Sequence, residues 1–306
     1  MLIVLALGGN ALLRRGEPMR PDVQLANVRA ACDAIAPLAS RHRLVITHGN
    51  GPQVGLLALR DSGADGFPLD IHGAETQGMI GYLLERELRN RLDPGREVAA
   101  VLTMVEVSPR DAAFSRPTKP IGPVYRPEVA RRLASSRRWT VKPDGAGLRR
   151  VVASPEPLRV VELEPIRWLL DRDCVVICTG GGGIPVAAGD TEPLQGKAAV
   201  VDKDLAGCLL AVDLDADLFV MATDVDGVYD DWGGAGQRLL HRADPTRLRR
   251  LAFSEGSMAP KVDAACRFVE RTGRTAAIGS LNELDAVVAG RAGTVVRPRR
   301  SAPTPV

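Results

Sequence analysis

The stretch Arg43–Gly55, RLVITHGNGPQVG, constrains this chain more than any other. It opens as a short apolar run, Leu44-Val45-Ile46, and breaks into His48-Gly49-Asn50-Gly51. Pro52 follows, and then a segment apolar enough to be a helix. A strand, a glycine turn and a helix start aim backbone N–H groups at an anion. Pro52 suits the first helical turn, where its missing N–H would have had no partner. Taken alone, the turn fits either a phosphate cradle or a tight strand–helix connection with no ligand. The chain, however, repeats the device. Gly8-Gly9-Asn10 follows the apolar run 2–7, and Gly180-Gly181-Gly182-Gly183 follows Cys174–Cys178. In a parallel sheet the carboxyl ends of the strands share one edge, and ligands bind there. Three such turns on one edge predict a long crevice lined with N–H donors, suited to a polyanion. None of them matches the P-loop or the dinucleotide fingerprint.

The remaining pattern alternates strands and helices, which predicts an α/β fold with a parallel sheet covered on both faces. Helices are expected at 22–40, Thr76–Leu92, Pro165–Arg172, Lys203–Val212, Ser257–Thr272 and Asn282–Val288. Strands are expected at 2–7, 43–47, Val98–Val105, Cys174–Cys178, Leu218–Ala222, Thr275–Ile278 and Thr294–Val296. Between 108 and 157 the composition shifts to many prolines, dense arginine and short apolar runs. That stretch reads as an inserted small protruding subdomain or flap of the sort that closes over a site. The whole is expected to be one domain over 1–306. Two lobes are expected within it, an N-terminal one over about 1–178 and a C-terminal one over about 179–297. The tail 297–306, rich in Pro and Arg, is expected to be disordered or to lie on the surface.

Composition excludes several classes. The net charge of +3 comes with dispersed basic residues and few aromatics, which argues against a nucleic-acid binder. No apolar run approaches the ~20 residues that span a bilayer. The N-terminus opens directly on a strand, with no basic region before it, so a cytoplasmic protein is expected. Cys32, Cys174, Cys178, Cys208 and Cys266 lack zinc spacing and read as buried structural thiols.

Of the forty Lys and Arg, only Lys119, Lys142, Lys197, Lys203 and Lys261 are lysine. Arginine serves the solvated surface, so each lysine merits inspection as a compact charge suited to a phosphoryl group. Lys203 and Lys261 each stand at an expected helix start, where the dipole also favours an anion. Asp204 is placed to hold them by charge-assisted hydrogen bonds. Asp202 reads as a helix cap, as does Ser257. Lys119 lies in the insert, and Lys142 and Lys197 receive no role. Thr223-Asp224-Val225-Asp226-Gly227-Val228-Tyr229 follows a strand and can seat a nucleoside, with Tyr229 and Met258 against the base. Asp224 and Asp226 also fit ordinary turn chemistry, so no direct metal site is assigned. His48 beside the crevice reads as structural, and no Ser or Cys nucleophile accompanies any histidine.

Together these residues resemble the amino acid kinase family and, within it, the carbamate kinases. The matching pieces are ALGGNAL (6–12), ITHGNGPQVG (46–55), GAETQGMIGYLLE (73–85), RPTKPIGPVY (116–125), TGGGGIPV (179–186), VVDKDLA (200–206), DLDADLFVMATDVDGVY (213–229) and GSMAPKVDAA (256–265). The resemblance implies a three-layer αβα sandwich around a mainly parallel central sheet, with the N-terminal lobe (about 1–178) acceptor-binding and the C-terminal lobe (about 179–297) nucleotide-binding, and a homodimer that carries out ATP + carbamate to ADP + carbamoyl phosphate, reversibly. It also implies use for making ATP in arginine or other nitrogen catabolism. Lys203 and Lys261 carry over as the phosphoryl-stabilising lysines, Asp204 as their organiser, and Lys119 as the subdomain lysine reaching the site. Gly8, Gly9, Asn10, Gly49, Asn50, Gly51, Gly181 and Gly182 are expected to hold the acceptor and the phosphoryl group. Gly180, Thr223, Asp224, Val225, Tyr229 and Met258 are expected at the nucleotide, with Mg2+ held mainly by ATP or ADP. The chain departs from relatives at Thr179 and at Ala259, where glycine is common. It also carries Ala6 where acetylglutamate and uridylate kinases have a lysine. A kinase acting on another small carboxylate, or a non-catalytic nucleotide sensor, are the alternative readings.

Overall fold

A computed structural model describes residues 1–13, 17–18, 20–61, 66–188, 193–253 and 258–299, without the side chains of residues 10 and 11. The expectations for Ser257 and for the tail beyond residue 299 therefore lie outside the described residues.

Eight strands form the central sheet. Their spatial order is Arg242–Ala243, Thr294–Val296, Thr275–Ser280, Leu218–Thr223, Leu2–Leu7, Arg43–His48, Val175–Ile177 and Val98–Ala100. Every neighbouring pair is parallel except Thr275–Ser280 with Thr294–Val296. The continuous apolar runs follow from burial on both faces. In the first strand Leu2, Val4 and Ala6 enter one core while Ile3, Leu5 and Leu7 enter the other. The first core is covered by the helices Leu163–Asp171, Lys203–Asp213 and Met258–Thr272. The second is covered by Pro21–Ala39, Leu69–Arg89 and Leu284–Val288. All five cysteines are buried and unbridged. Burial pushes the Cys32, Cys178 and Cys208 thiols up to about 12, which leaves them inert.

Two elements differ from the sequence reading. The strand expected over Val98–Val105 divides into Val98–Ala100 in the central sheet and Met104–Val107 in a second sheet of four strands. The break is held by Gln77, whose amide pairs with both backbone groups of Thr103, Nε2 donating at 3.0 Å and Oε1 accepting at 2.9 Å. A side chain thus takes the place of a neighbouring strand. The helix expected from Thr76 starts at Leu69 instead. Its first turns bury His72, Thr76 and Gln77, so a polar face turned inward hides the apolar period there.

Within 108–157 the chain builds a three-stranded antiparallel sheet ordered Lys119–Tyr125, Gly147–Val152, Thr140–Asp144, with the helix Pro127–Arg137. Its Ile121 and Val152 share a small core with Val54, Ala58, Leu69 and Val200. The small sheet thereby sits on the helix Gly51–Arg60, which follows the His48–Gly51 turn.

Candidate active site

The strands Leu2–Leu7, Arg43–His48 and Val175–Ile177 are parallel and adjacent to one another or one strand removed, so their three glycine turns meet at one edge of the sheet. A Cβ on Gly49 would stand 2.9 Å from both the Cα and N of Gly9, and 3.5 Å from the Cδ of Lys203. A Cβ on Gly181 would stand 2.2 Å from Asn50 Nδ2, and one on Gly180 2.3 Å from His48 Nε2. A Cβ on Gly182 would stand 2.4 Å from the Val201 carbonyl oxygen, next to the start of the lysine helix. Several glycines are there to let chain segments touch. Gly8 N–H donates to Ala222 O and Gly49 N–H to Leu7 O, at 2.9 and 3.1 Å. Gly182 and Gly183 N–H groups are likewise spent on Thr179 and Gly180 carbonyls. This corrects the picture of uniform N–H donors: those four close the turns.

The helix Lys203–Asp213 begins with Asp202 as its cap. Asp202 Oδ1 accepts from the N–H groups of Asp204 and Leu205 at 2.9 and 3.3 Å. Its Oδ2 accepts from Lys119 Nζ, which reaches across from the small sheet. Sequence reasoning saw only the capping half of this, since nothing local to Asp202 signals a partner 83 residues away. Asp204, 3% exposed, bridges two lysines: Lys203 Nζ at 2.5 Å on Oδ1 and Lys261 Nζ at 3.0 Å on Oδ2. Lys261 is itself 8% exposed, in the first turn of Met258–Thr272.

Burial works to raise the Asp204 carboxyl, but the Lys203 and Lys261 ammonium groups outweigh it and hold it well below the usual range. Burial also raises Asp202, and Lys119 reverses that. Burial lowers Lys203 in spite of Asp204, with the Lys261 charge adding to the depression. On Lys261 burial again acts downward, and Asp204 overcomes it and raises the group. The two lysines thus share one carboxylate unequally, with burial prevailing at Lys203 and the Asp204 charge prevailing at Lys261. With Asp202 and Asp204 ionised, three ammonium groups face two carboxylates, and the cluster is poised for an added anion. Buried ion clusters give little net stability, so holding an anion is the better account of this one.

His48, 1% exposed, places Nδ1 3.2 Å from the Gly49 carbonyl, to which it donates. Burial pushes this histidine down to about 4, opposed by the Gly49 hydrogen bond and assisted by Lys203. It is a neutral structural group beside the site. Asn50 Nδ2 donates to Thr76 Oγ1 at 2.8 Å, a contact the residue types alone did not reveal.

The residues expected at a nucleotide are gathered less tightly. Gly8 approaches Thr223, whose Oγ1 donates to Asp224 Oδ1 at 3.0 Å. Val225 is half-buried beside them. Tyr229 donates to Asp226 Oδ2 at 3.2 Å and packs edge-on against Trp232, with ring centroids 5.1 Å apart. Met258 packs against the first core, which includes Val228. Among the described residues no group of three or more His, Cys, Asp or Glu is arranged to hold a metal ion.

Comparison with known proteins bears on the whole chain. The profile described as "Amino acid kinase family" matches residues 1–280. The carbamate kinase of Rhizobium meliloti is 52% identical over 97% of this chain and 93% of its own. That of Haemophilus influenzae is 52% identical over 96% of each. Among solved structures, carbamate kinase from Giardia lamblia bound to AMP-PNP superposes with a TM-score of 0.87 at 35% identity, covering 97% of this chain and 98% of that one. An isopentenyl phosphate kinase from T. acidophilum, at 15% identity and a TM-score of 0.54, shares the fold alone. With a family profile over residues 1–280 and relatives of this similarity matched over nearly their full length, the chain belongs to the amino acid kinase family, among its carbamate kinases.

Proposed function

We propose that this protein catalyses reversible phosphoryl transfer between ATP and carbamate, giving ADP and carbamoyl phosphate. The observation that carries the reading is the buried bridge Lys203–Asp204–Lys261 at the meeting point of three glycine turns. Phosphoryl transfer asks little covalent chemistry of the protein; it asks for alignment and for positive charge on the equatorial oxygens. Lys203, beside the Gly9–Gly49 contact, serves the phosphoryl group in transit. Lys261, on the side of the chain that holds Thr223 and Asp224, serves the nucleotide phosphates. Asp204 fixes both ammonium groups before substrate arrives, so no reorganisation is needed during the reaction. Lys119 joins from the small sheet through Asp202. On this reading Gly8, Gly9, Asn10, Gly49, Asn50, Gly51, Gly181 and Gly182 hold the acceptor and the phosphoryl group.

Carbamate is an anion at neutral pH, as a carboxyl group with a reference pKa of about 4 would be, so its oxygen attacks without a general base. His48, held neutral and bonded to Gly49, is in keeping with that. Both aspartates of the cluster are already engaged by lysines and N–H groups, a donor set that suits Mg2+ entering on the nucleotide's own phosphates. A cytoplasmic homodimer making ATP during arginine or other nitrogen breakdown completes the reading, supported by the family resemblance.

The test is ATP formation from ADP and carbamoyl phosphate. Lys203→Ala and Lys261→Ala should each lower kcat by about a hundredfold or more, the scale of losing one charge-stabilising donor. Turnover near wild type in either variant would overturn the assignment. A panel of other carboxylates with ATP checks whether carbamate is the acceptor.

A further inference from the structure

The Asn50–Thr76 contact has a consequence for substrate choice that depends on which way the carboxamide points. Thr76 is fully buried inside the helix Leu69–Arg89. Its Oγ1 stands 2.9 Å from the His72 carbonyl and 2.9 Å from the Gly73 carbonyl. Both neighbours are acceptors only, so the single hydroxyl proton is committed to them. What Thr76 can offer Asn50 is a lone pair. The atom of Asn50 that faces it at 2.8 Å must therefore be the nitrogen, and the amide cannot flip without setting two oxygens against each other. The flat face of the same carboxamide rests on the Cα of Gly181, where a Cβ would stand 2.2 to 2.5 Å from its nitrogen, carbon and oxygen. Gly181 holds φ +67 there, a conformation that favours glycine. Asn50 is thus clamped from two sides, at the N-terminus of the helix Gly51–Arg60. Among the described residues no donor reaches its Oδ1.

We propose that Thr76 acts as a positioning residue that turns the Asn50 oxygen toward the acceptor pocket, where it takes a hydrogen bond from the substrate's N–H2 group and so selects carbamate over its methyl isostere, acetate. The inference rests on the function proposed above. It concerns the group on the far side of the reacting carboxylate, which none of the lysines can read, because an ammonium group only donates. The glycine N–H groups cannot read it either. A backbone oxygen or an amide oxygen is needed, and Asn50 Oδ1 is an amide oxygen that no donor among the described residues engages. A pocket built to accept from N–H leaves its acceptor unpaired when a methyl group occupies the place, and discrimination follows from that.

The experiment compares carbamoyl phosphate with acetyl phosphate as phosphoryl donors to ADP. In each case the phosphoryl group leaves a carboxylate oxygen for the terminal oxygen of ADP, and the two differ only in N–H2 against CH3. The wild-type protein should prefer carbamoyl phosphate in kcat/KM by at least about tenfold, the effect of one hydrogen bond to a buried acceptor. Thr76→Val, which keeps the shape and removes the lone pair, should cut that preference by about tenfold. Thr76→Ser should retain it within about threefold. A general loss of packing would lower both donors together and leave the ratio alone. A folded Thr76→Val protein with the wild-type ratio overturns the proposal. So does a wild-type ratio near one, which needs no variant and decides the matter should Thr76→Val fail to fold. If the wild-type protein uses neither donor, the proposed function itself falls, and this inference with it.

Discussion

At the scale of the residue, the site is a set of charges and amides fixed before any substrate enters. His48 shows what that costs. Burial holds its folded-state value near 4, against about 6.5 for the unfolded chain. Between those values the unfolded chain binds a proton that the folded one refuses. Stability therefore rises with pH across this window: the contribution is complete above about 6.5 and is lost as pH falls toward 4. A shift of that size corresponds to about 3 kcal/mol. Chemical denaturation of wild type and His48→Gln at pH 7 and pH 4.5 checks it. The wild type should lose stability between the two, and the variant should lose correspondingly less. An equal loss in both would mean that other groups carry the dependence.

At the scale of the element, function depends on how the helix Gly51–Arg60 meets the strand Lys119–Tyr125. A Cβ on Gly55 would stand 2.0 Å from Gly122 N and 2.2 Å from Gly122 Cα, both rigid backbone atoms. Gly122 in turn lies at φ +68. The pair lets the helix Gly51–Arg60 and the small sheet touch, which places Lys119 within reach of Asp202. Gly55→Ala should force the two apart, cost about 1–3 kcal/mol as overpacking does, and lower kcat by displacing Lys119. Gly78→Ala is the matched control. Gly78 is exposed within the helix Leu69–Arg89 and nothing lies within 4 Å of a Cβ there, so alanine should gain up to about 1 kcal/mol from helix propensity. Thermal unfolding and turnover of the two variants, measured side by side, separate the effects. A Gly55→Ala protein as stable and active as wild type would show that the contact yields without consequence.

At the scale of the whole molecule, charge is divided unevenly. Residues 108–157 carry eleven Lys and Arg against four Asp and Glu, although the full chain is only +3. Arg126, Arg131, Arg132 and Arg138 are exposed, and among the described residues none forms an ion pair. This basic body is joined to the site through Lys119, and the substrates of the proposed reaction are all anions. A field of that sign raises the local concentration of anions and is screened by salt, with a Debye length of about 10 Å at 0.1 M. With carbamoyl phosphate and ADP, kcat/KM should fall several-fold as ionic strength rises from about 0.02 to 0.3 M, while kcat moves less. A kcat/KM indifferent to salt would remove the role of this field.

Much of this protein is legible in the residue order, for a physical reason: local pattern encodes local structure. The six apolar residues 2–7 need burial on both faces, and the glycine turns after three strands place a crevice at one sheet edge. The scarcity of lysine marks five residues for inspection, and the structure joins three of them, Lys119, Lys203 and Lys261, to Asp202 or Asp204. Tertiary structure decided the rest, because it turns on contacts between distant segments. The polar residues His72, Thr76 and Gln77 broke the apolar period and hid a helix start, and the reason is that they are turned inward, Thr76 against Asn50 and Gln77 against Gly180 and Thr103. Gln77 ends a strand by pairing with Thr103, which propensity cannot anticipate. Asp202 reads as a cap from its neighbours and becomes a partner of Lys119 only when the small sheet docks. The sequence by itself determined the layers, the edge and the charges. Which atom each charge and amide faces was settled only by packing, since a direction in space is a property of the assembled chain.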